Sequence, residues 1–75
     1  MNMPQKMFHD FVMGMVKDER RDDAERLMEE GFARQDAGTF DAAYLASVTP
    51  TYLDVVKEDQ MEKVRAAIAS YAARL

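Results

Sequence analysis

The chain has 75 residues, no cysteine, ten basic against fourteen acidic side chains, and a formal charge of −4. One domain, residues 1–75, is all that such a length supports, and it buries only about 60% of the surface its unfolded form exposes. Disulfides and thiolate metal sites are excluded, and the acidic balance argues against nucleic acid, because such binders draw their affinity from a basic face.

Arg20, Arg21, Arg26 and Arg34 are interleaved with carboxylates. Only a dimer that gathered the first three into one patch would revive a nucleic-acid role. The opening residues lack the basic, apolar and small-residue succession of a secretory leader. Together with the missing cysteine, this leads to an expected cytoplasmic location. The longest apolar run, Phe11 to Val16, falls far short of the ~20 residues that span a bilayer.

Three glycines and two prolines punctuate a sequence rich in good helix formers and without strand signals. The first helical segment is predicted from about Pro4 to Lys17, with Pro4 in the first turn, where its missing N–H costs nothing. Met7, Phe8, Phe11, Val12, Met15 and Val16 fill a broad apolar face at about 100° per residue. A turn within Asp18–Arg21 is expected next, because the apolar stripe of the following segment points the other way; one long helix is the alternative, and it would nearly demand a dimer.

The second segment is predicted from Asp22 to Ala37, opened by an Asp22-x-x-Glu25 capping box, with Ala24, Leu27, Met28 and Phe32 apolar. Gly38 suits a left-handed C-cap and Thr39 the next N-cap. A short third segment is expected from Phe40 to Val48. Thr49-Pro50 restarts a fourth that carries Tyr52, Leu53, Val55 and Val56, since the residue before proline avoids the α region. Asp59 and Glu62 repeat the capping pattern. Met61, Val64, Ile68, Tyr71 and Leu75, spaced three and four apart, form one stripe of the last helix. Ion pairs at i,i+4 (Asp22 with Arg26, Glu30 with Arg34, Asp59 with Lys63) support these helices.

Catalytic signals are thin. General acid–base chemistry wants a base beside an orienting carboxylate. The single histidine, His9, has as its immediate neighbour Asp10, which points elsewhere on a helix, and no carboxylate three or four positions away. Ser47 and Ser70 lack a local base. Asp18, Asp22, Glu25 and Glu29 would share one face of a continuous helix, but neither a Glu-x-x-His pattern nor a calcium loop accompanies them. A solvated face is the reading. No catalytic residue, cofactor or metal site is nominated.

The run Ala24-Glu25, Gly31, Gly38-Thr39-Phe40 and Ala43 resembles the helix–turn–helix of a tetratricopeptide repeat, with small and aromatic residues at that consensus's positions. Glu30 and Arg34 depart from it, and no second copy follows. The resemblance therefore implies a helical hairpin joined at Gly38-Thr39 and nothing about peptide binding.

The expected fold is all-α: a small bundle of four to five short helices whose apolar stripes could be completed by homodimerisation. Its core is predicted from Phe8, Phe11, Met15, Leu27, Phe32, Phe40, Tyr44, Leu53, Val56, Val64, Ile68 and Tyr71. Five of seven methionines fall within the first fifteen residues, and flexible thioethers suit adaptable contacts. Met7, Phe8, Phe11 and Met15 are therefore the candidate partner-binding residues of a non-catalytic interaction or regulatory protein, with a second copy or another protein as partner. Binding of an apolar small molecule or lipid between helices is the alternative function.

Overall fold

A computed structural model describes residues 1–75 and contains four α-helices: α1 (Met3–Met13), α2 (Arg21–Ala37), α3 (Ala42–Val55) and α4 (Met61–Ala72). The all-α class is the observed one. The helices are organised as two similar halves. In each, a valine, an extended lysine and a three-residue 3-10 turn lead from one helix into the next, through Asp18–Arg20 in the first half and Glu58–Gln60 in the second. The halves join at these connections. Val16 faces Val56 in an antiparallel bridge, with Lys17 N donating to Val55 O and Lys57 N to Met15 O, both at 2.9 Å.

The bridge explains where α1 ends. Continuing the helix to Lys17 would keep Met15 and Val16 on its apolar face, but both leave the helix to pair with the other half, so α1 stops at Met13. Its start is fixed by a reciprocal capping box: Gln5 N donates to Asn2 Oδ1 at 2.8 Å, and Asn2 N donates to Gln5 Oε1 at 3.0 Å. The chain does turn between α1 and α2, slightly earlier than Asp18, which rules out the single long helix. α2 opens at Arg21 out of the 3-10 turn without a side-chain cap, so Asp22 and Glu25 form no capping box. The same holds for Asp59 and Glu62 at α4. At both sites the preceding 3-10 turn leads the chain straight into the helix, so no side-chain cap is needed to start it.

Gly38 ends α2 at φ 75°, a conformation that glycine adopts without a Cβ penalty. Thr39 N donates back to Arg34 O at 2.9 Å. Thr39 is not the next cap; Asp41 is, its carboxylate accepting from Tyr44 N at 2.8 Å. The hairpin of α2 and α3 is thus present, closed by Gly38–Asp41. The predicted break at Thr49-Pro50 is absent, and the third and fourth segments are one helix with Pro50 inside it. Thr49 Oγ1 donates to Leu45 O at 2.7 Å instead of capping a new helix. Ala46 and Pro50 are exposed, so the carbonyl that proline leaves without a donor lies on the solvent side.

The best-buried side chains, Met28, Val12, Val16, Val55, Val56 and Val64, surround the bridge. At the far end, Phe8, Phe32, Phe40 and Tyr71 are only partly covered. The dozen predicted core residues include one clear error: Phe11 is 43% exposed. The list also omitted Val12, Met13, Val16, Ala24, Met28, Leu45, Tyr52 and Val55, all buried. The inward side of α1 is set by Gln5, Val12 and Met13, and Phe11 lies outside it. In α4, Val64 and Ile68 are buried, while Leu75 lies beyond the last helical turn and is exposed.

Of the expected i,i+4 pairs, Glu30 and Arg34 approach to 3.9 Å. Arg26 pairs with Asp23 rather than Asp22, and Arg65 with Glu62 at 3.5 Å takes the place of a contact from Lys63. Exposed pairs of this kind contribute about 0–1 kcal/mol each. Only 16 of 75 residues are buried, which is a thin core to hold four helices.

Candidate functional site

The four nominated partner residues separate. Met15 is buried beside the bridge, and Phe8 is half-buried, its ring edge-on to Tyr52 at a centroid distance of 5.9 Å. Neither is free to meet a partner, because the inward side of α1 is set by Val12 and Gln5. Met7 and Phe11 do face outward, at 68% and 43% exposure, and Met3 at 70% extends their line. The spacing i, i+4, i+8 makes Met3, Met7 and Phe11 one outer stripe. Lys6 and Asp10 flank it, paired at 3.0 Å.

About a hundred degrees round the same helix, Pro4 and Phe8 line a cavity of about 440 Å³ at the open end of the bundle. Gly31, Phe32 and Gln35 of α2, Phe40, Leu45 and Tyr52, and Ile68 and Tyr71 of α4 complete most of its wall. The cavity lies at the end away from the bridge, beside the α2–α3 turn, with Gly38 and Phe40 in its wall. Phe40 stands edge-on to both Tyr44 and Tyr71, at centroid distances of 5.2 and 5.5 Å.

Polar groups of the cavity are ordered by a hydrogen-bond relay. Gln5 Nε2 donates to Gln35 Oε1 at 2.9 Å and more weakly to Asp36 Oδ1 at 3.3 Å, and Gln35 Nε2 donates to the Tyr71 hydroxyl at 2.8 Å. Gln5 is thereby buried with its amide satisfied by Asn2, Gln35 and Asp36. The sequence signal for it was the Asn2-x-x-Gln5 capping pattern, which the apolar spacing of α1 overshadowed.

Two further tyrosines make no hydrogen bond through their hydroxyls within the chain, and only that of Tyr44 is sealed from solvent. A Cβ placed on Gly31 would lie 3.7 Å from the Tyr44 hydroxyl and 3.9 Å from that of Tyr52, so both hydroxyls approach the same glycine. The Tyr44 oxygen is sealed from solvent without a hydrogen-bond partner, a state that costs about 1–3 kcal/mol. Burial pushes the phenols of Tyr44 and Tyr52 up, with the Glu30 carboxylate adding to both. At neutral pH each remains a protonated donor.

His9 is better supplied with carboxylates than its sequence neighbours suggest. Nε2 lies 2.8 Å from Glu25 Oε1 across the α1–α2 interface, and Nδ1 lies 3.2 Å from Asp10 Oδ1. The adjacent Asp10 does reach the ring, because its carboxylate can swing back along the helix surface. Hydrogen bonding to Asp10, then to Glu25, raises the imidazole pKa. No nucleophile stands beside this group; it ties two helices together.

Glu25 is therefore an inter-helix contact and not part of a solvated acidic face. No group of three or more histidines and carboxylates has a geometry that could hold a metal ion. Arg20 is engaged by Asp23 and Asp54, both at 2.7 Å, and Arg26 by Asp23, so these guanidiniums face carboxylates within their own chain. No helix is long and apolar enough to cross a membrane. Comparison with family models, with curated proteins and with solved structures finds no match to this chain.

Proposed function

We propose that the protein is a non-catalytic interaction module that docks through the outer stripe of α1. The observation that supports this is the exposure of Met3, Met7 and Phe11 in a single line on a chain whose own core is thin. Side chains of this size scattered singly would need no explanation, but a contiguous line of them marks a contact surface. Methionine adapts its shape to whatever it meets.

A second copy is the simplest occupant. An isologous pairing sets the same patch against itself, and the flanking Lys6 and Asp10 carry opposite charges one helical turn apart. Two α1 helices crossing antiparallel would set each lysine near the other copy's aspartate. The covered area would then add to a core that one chain fills sparsely.

Sedimentation from low micromolar to near-millimolar concentration tests this proposal, comparing the wild type with a Met7→Glu, Phe11→Glu variant. The expected outcome is a concentration-dependent dimer that the variant abolishes, with helical dichroism unchanged because both sites face outward. A wild type that stays monomeric throughout, or a variant that dimerises equally well, removes the second-copy reading. Met15→Glu is the control for damage to the fold, since Met15 is buried and its replacement is expected to unfold the chain.

A further inference from the structure

We infer that the cavity at the open end is a binding site for an uncharged, largely apolar small molecule bearing a carbonyl-type oxygen, which the Tyr52 hydroxyl receives. The site is separate from the outer stripe of α1 and does not depend on self-association.

Size and lining fit such a ligand. About 440 Å³ lies within the range of small-molecule sites, about 300–1,000 Å³, whose walls are mostly apolar with a few placed polar groups. Here the apolar wall is built from Phe8, Phe32, Phe40, Leu45 and Ile68. Tyr52 is 6% exposed and lines the cavity, yet its hydroxyl makes no hydrogen bond within the chain. Unlike the sealed Tyr44 hydroxyl, that of Tyr52 is open to the chamber it lines. A phenol with no partner in its own chain, open to a largely apolar chamber, can donate to an acceptor from outside.

The polarity of the remaining groups agrees. The relay from Gln5 through Gln35 ends by donating to the Tyr71 oxygen, which leaves the Tyr71 proton free to be donated. The chamber thus offers O–H donors on two walls, from Tyr52 and from Tyr71. A carbonyl oxygen, with two lone pairs and no proton of its own, can accept from such a hydroxyl.

Charge then separates the neutral carbonyl from the acid. No Lys, Arg or His lines the cavity. Arg34, the guanidinium beside Tyr44, lies over that ring at 4.3 Å from its centroid and faces Glu30. A carboxylate entering the chamber would lose its hydration without meeting a cation.

Three probes of one shape test the inference: 2-acetylnaphthalene, the hydrocarbon 2-isopropylnaphthalene and the anion 2-naphthoate, titrated into the full chain and followed by amide chemical shifts at Gly31 and Tyr71. The ketone is expected to bind about tenfold more tightly than either of the others, the scale of one hydrogen bond to a buried donor. Tyr52→Phe is expected to lower the ketone to the level of the hydrocarbon and to leave the hydrocarbon unchanged. Gly31→Ala gives an independent check, because its Cβ would meet Phe40, Tyr44 and Tyr52 at ordinary contact distances of 3.6–3.9 Å. That variant is expected to fold and to weaken all three probes, because its methyl takes up space in the wall of the chamber. Equal affinity for ketone and hydrocarbon, a preference that survives Tyr52→Phe, tighter binding of the anion, or no shift with any probe would overturn the inference.

Discussion

Val16 and Val56 face each other as the non-hydrogen-bonded pair of an antiparallel bridge, and the amides that hold them belong to the lysines that follow, Lys17 and Lys57. In such a pair the side chains approach more closely than in the hydrogen-bonded kind. The two valines are among the best-buried residues of the chain. A single point of backbone pairing therefore joins the two helical halves at one end, while at the other the α2–α3 turn links them beside the aromatic side chains and the cavity.

Lys57→Pro isolates the bridge. Lys57 already has φ −62°, which suits proline, and its side chain is exposed. The substitution therefore removes little besides the N–H that Met15 O accepts. Leaving that buried carbonyl unpaired costs about 1–3 kcal/mol, partly offset by about 0.4–1 kcal/mol from a stiffer unfolded chain. Urea denaturation is expected to show a net loss of about 1–2 kcal/mol. A variant as stable as the wild type would mean that the bridge hydrogen bond adds nothing to the side-chain packing and the α2–α3 turn in holding the halves together.

The bridge also marks how far the sequence could be read. Helical periodicity was legible for α1, α2 and α4, and Gly38 announced the end of α2 because only its left-handed conformation was needed. Val16-Lys17-Asp18-Glu19 and Val56-Lys57-Glu58-Asp59 repeat forty positions apart, a signal for the duplicated connection that apolar spacing does not weigh. Pro50 misled because local preference favours a break, whereas α3 is held on both sides of it, by Tyr44 and Leu45 before and by Tyr52 and Val55 after, all buried. The outer stripe was half visible: Met7 and Phe11 were found, but Met15 was drawn in by pairing between residues far apart in the chain. Tyr71 was expected in the core and Tyr52 only as an apolar position of the fourth segment, because where a phenol's hydroxyl ends up has no signature in sequence.

His9 makes stability depend on pH in a defined direction. Its imidazole pKa is raised in the folded state by Asp10 and Glu25. The stabilisation is fully present below the unfolded value of about 6.5 and is lost as pH rises through the higher folded value. Between about pH 6 and 8 the urea midpoint is expected to fall, by a free energy of roughly 1 kcal/mol or less for a partly solvated pair. His9→Gln is expected to flatten that slope while keeping a hydrogen bond to Glu25 within reach. An equal slope in both proteins would assign the pH dependence elsewhere.

Tyr44→Phe tests the stability cost of an unpaired phenol. The Tyr44 hydroxyl is sealed from solvent and has no partner, while its ring carries the useful contacts, with Phe40 on one side and the Arg34 guanidinium 4.3 Å from its centroid. Phenylalanine keeps the ring and both contacts and deletes only the orphaned donor. Most substitutions of a buried residue destabilise, but here the removed atom has been desolvated without a hydrogen bond in return. Thermal and urea unfolding are expected to show no loss and a gain of up to about 1–2 kcal/mol. The neighbouring Tyr52→Phe, whose hydroxyl reaches the cavity, is expected to gain less. A loss above about 1 kcal/mol in Tyr44→Phe would show that this hydroxyl finds an acceptor in solution and is not an orphaned donor.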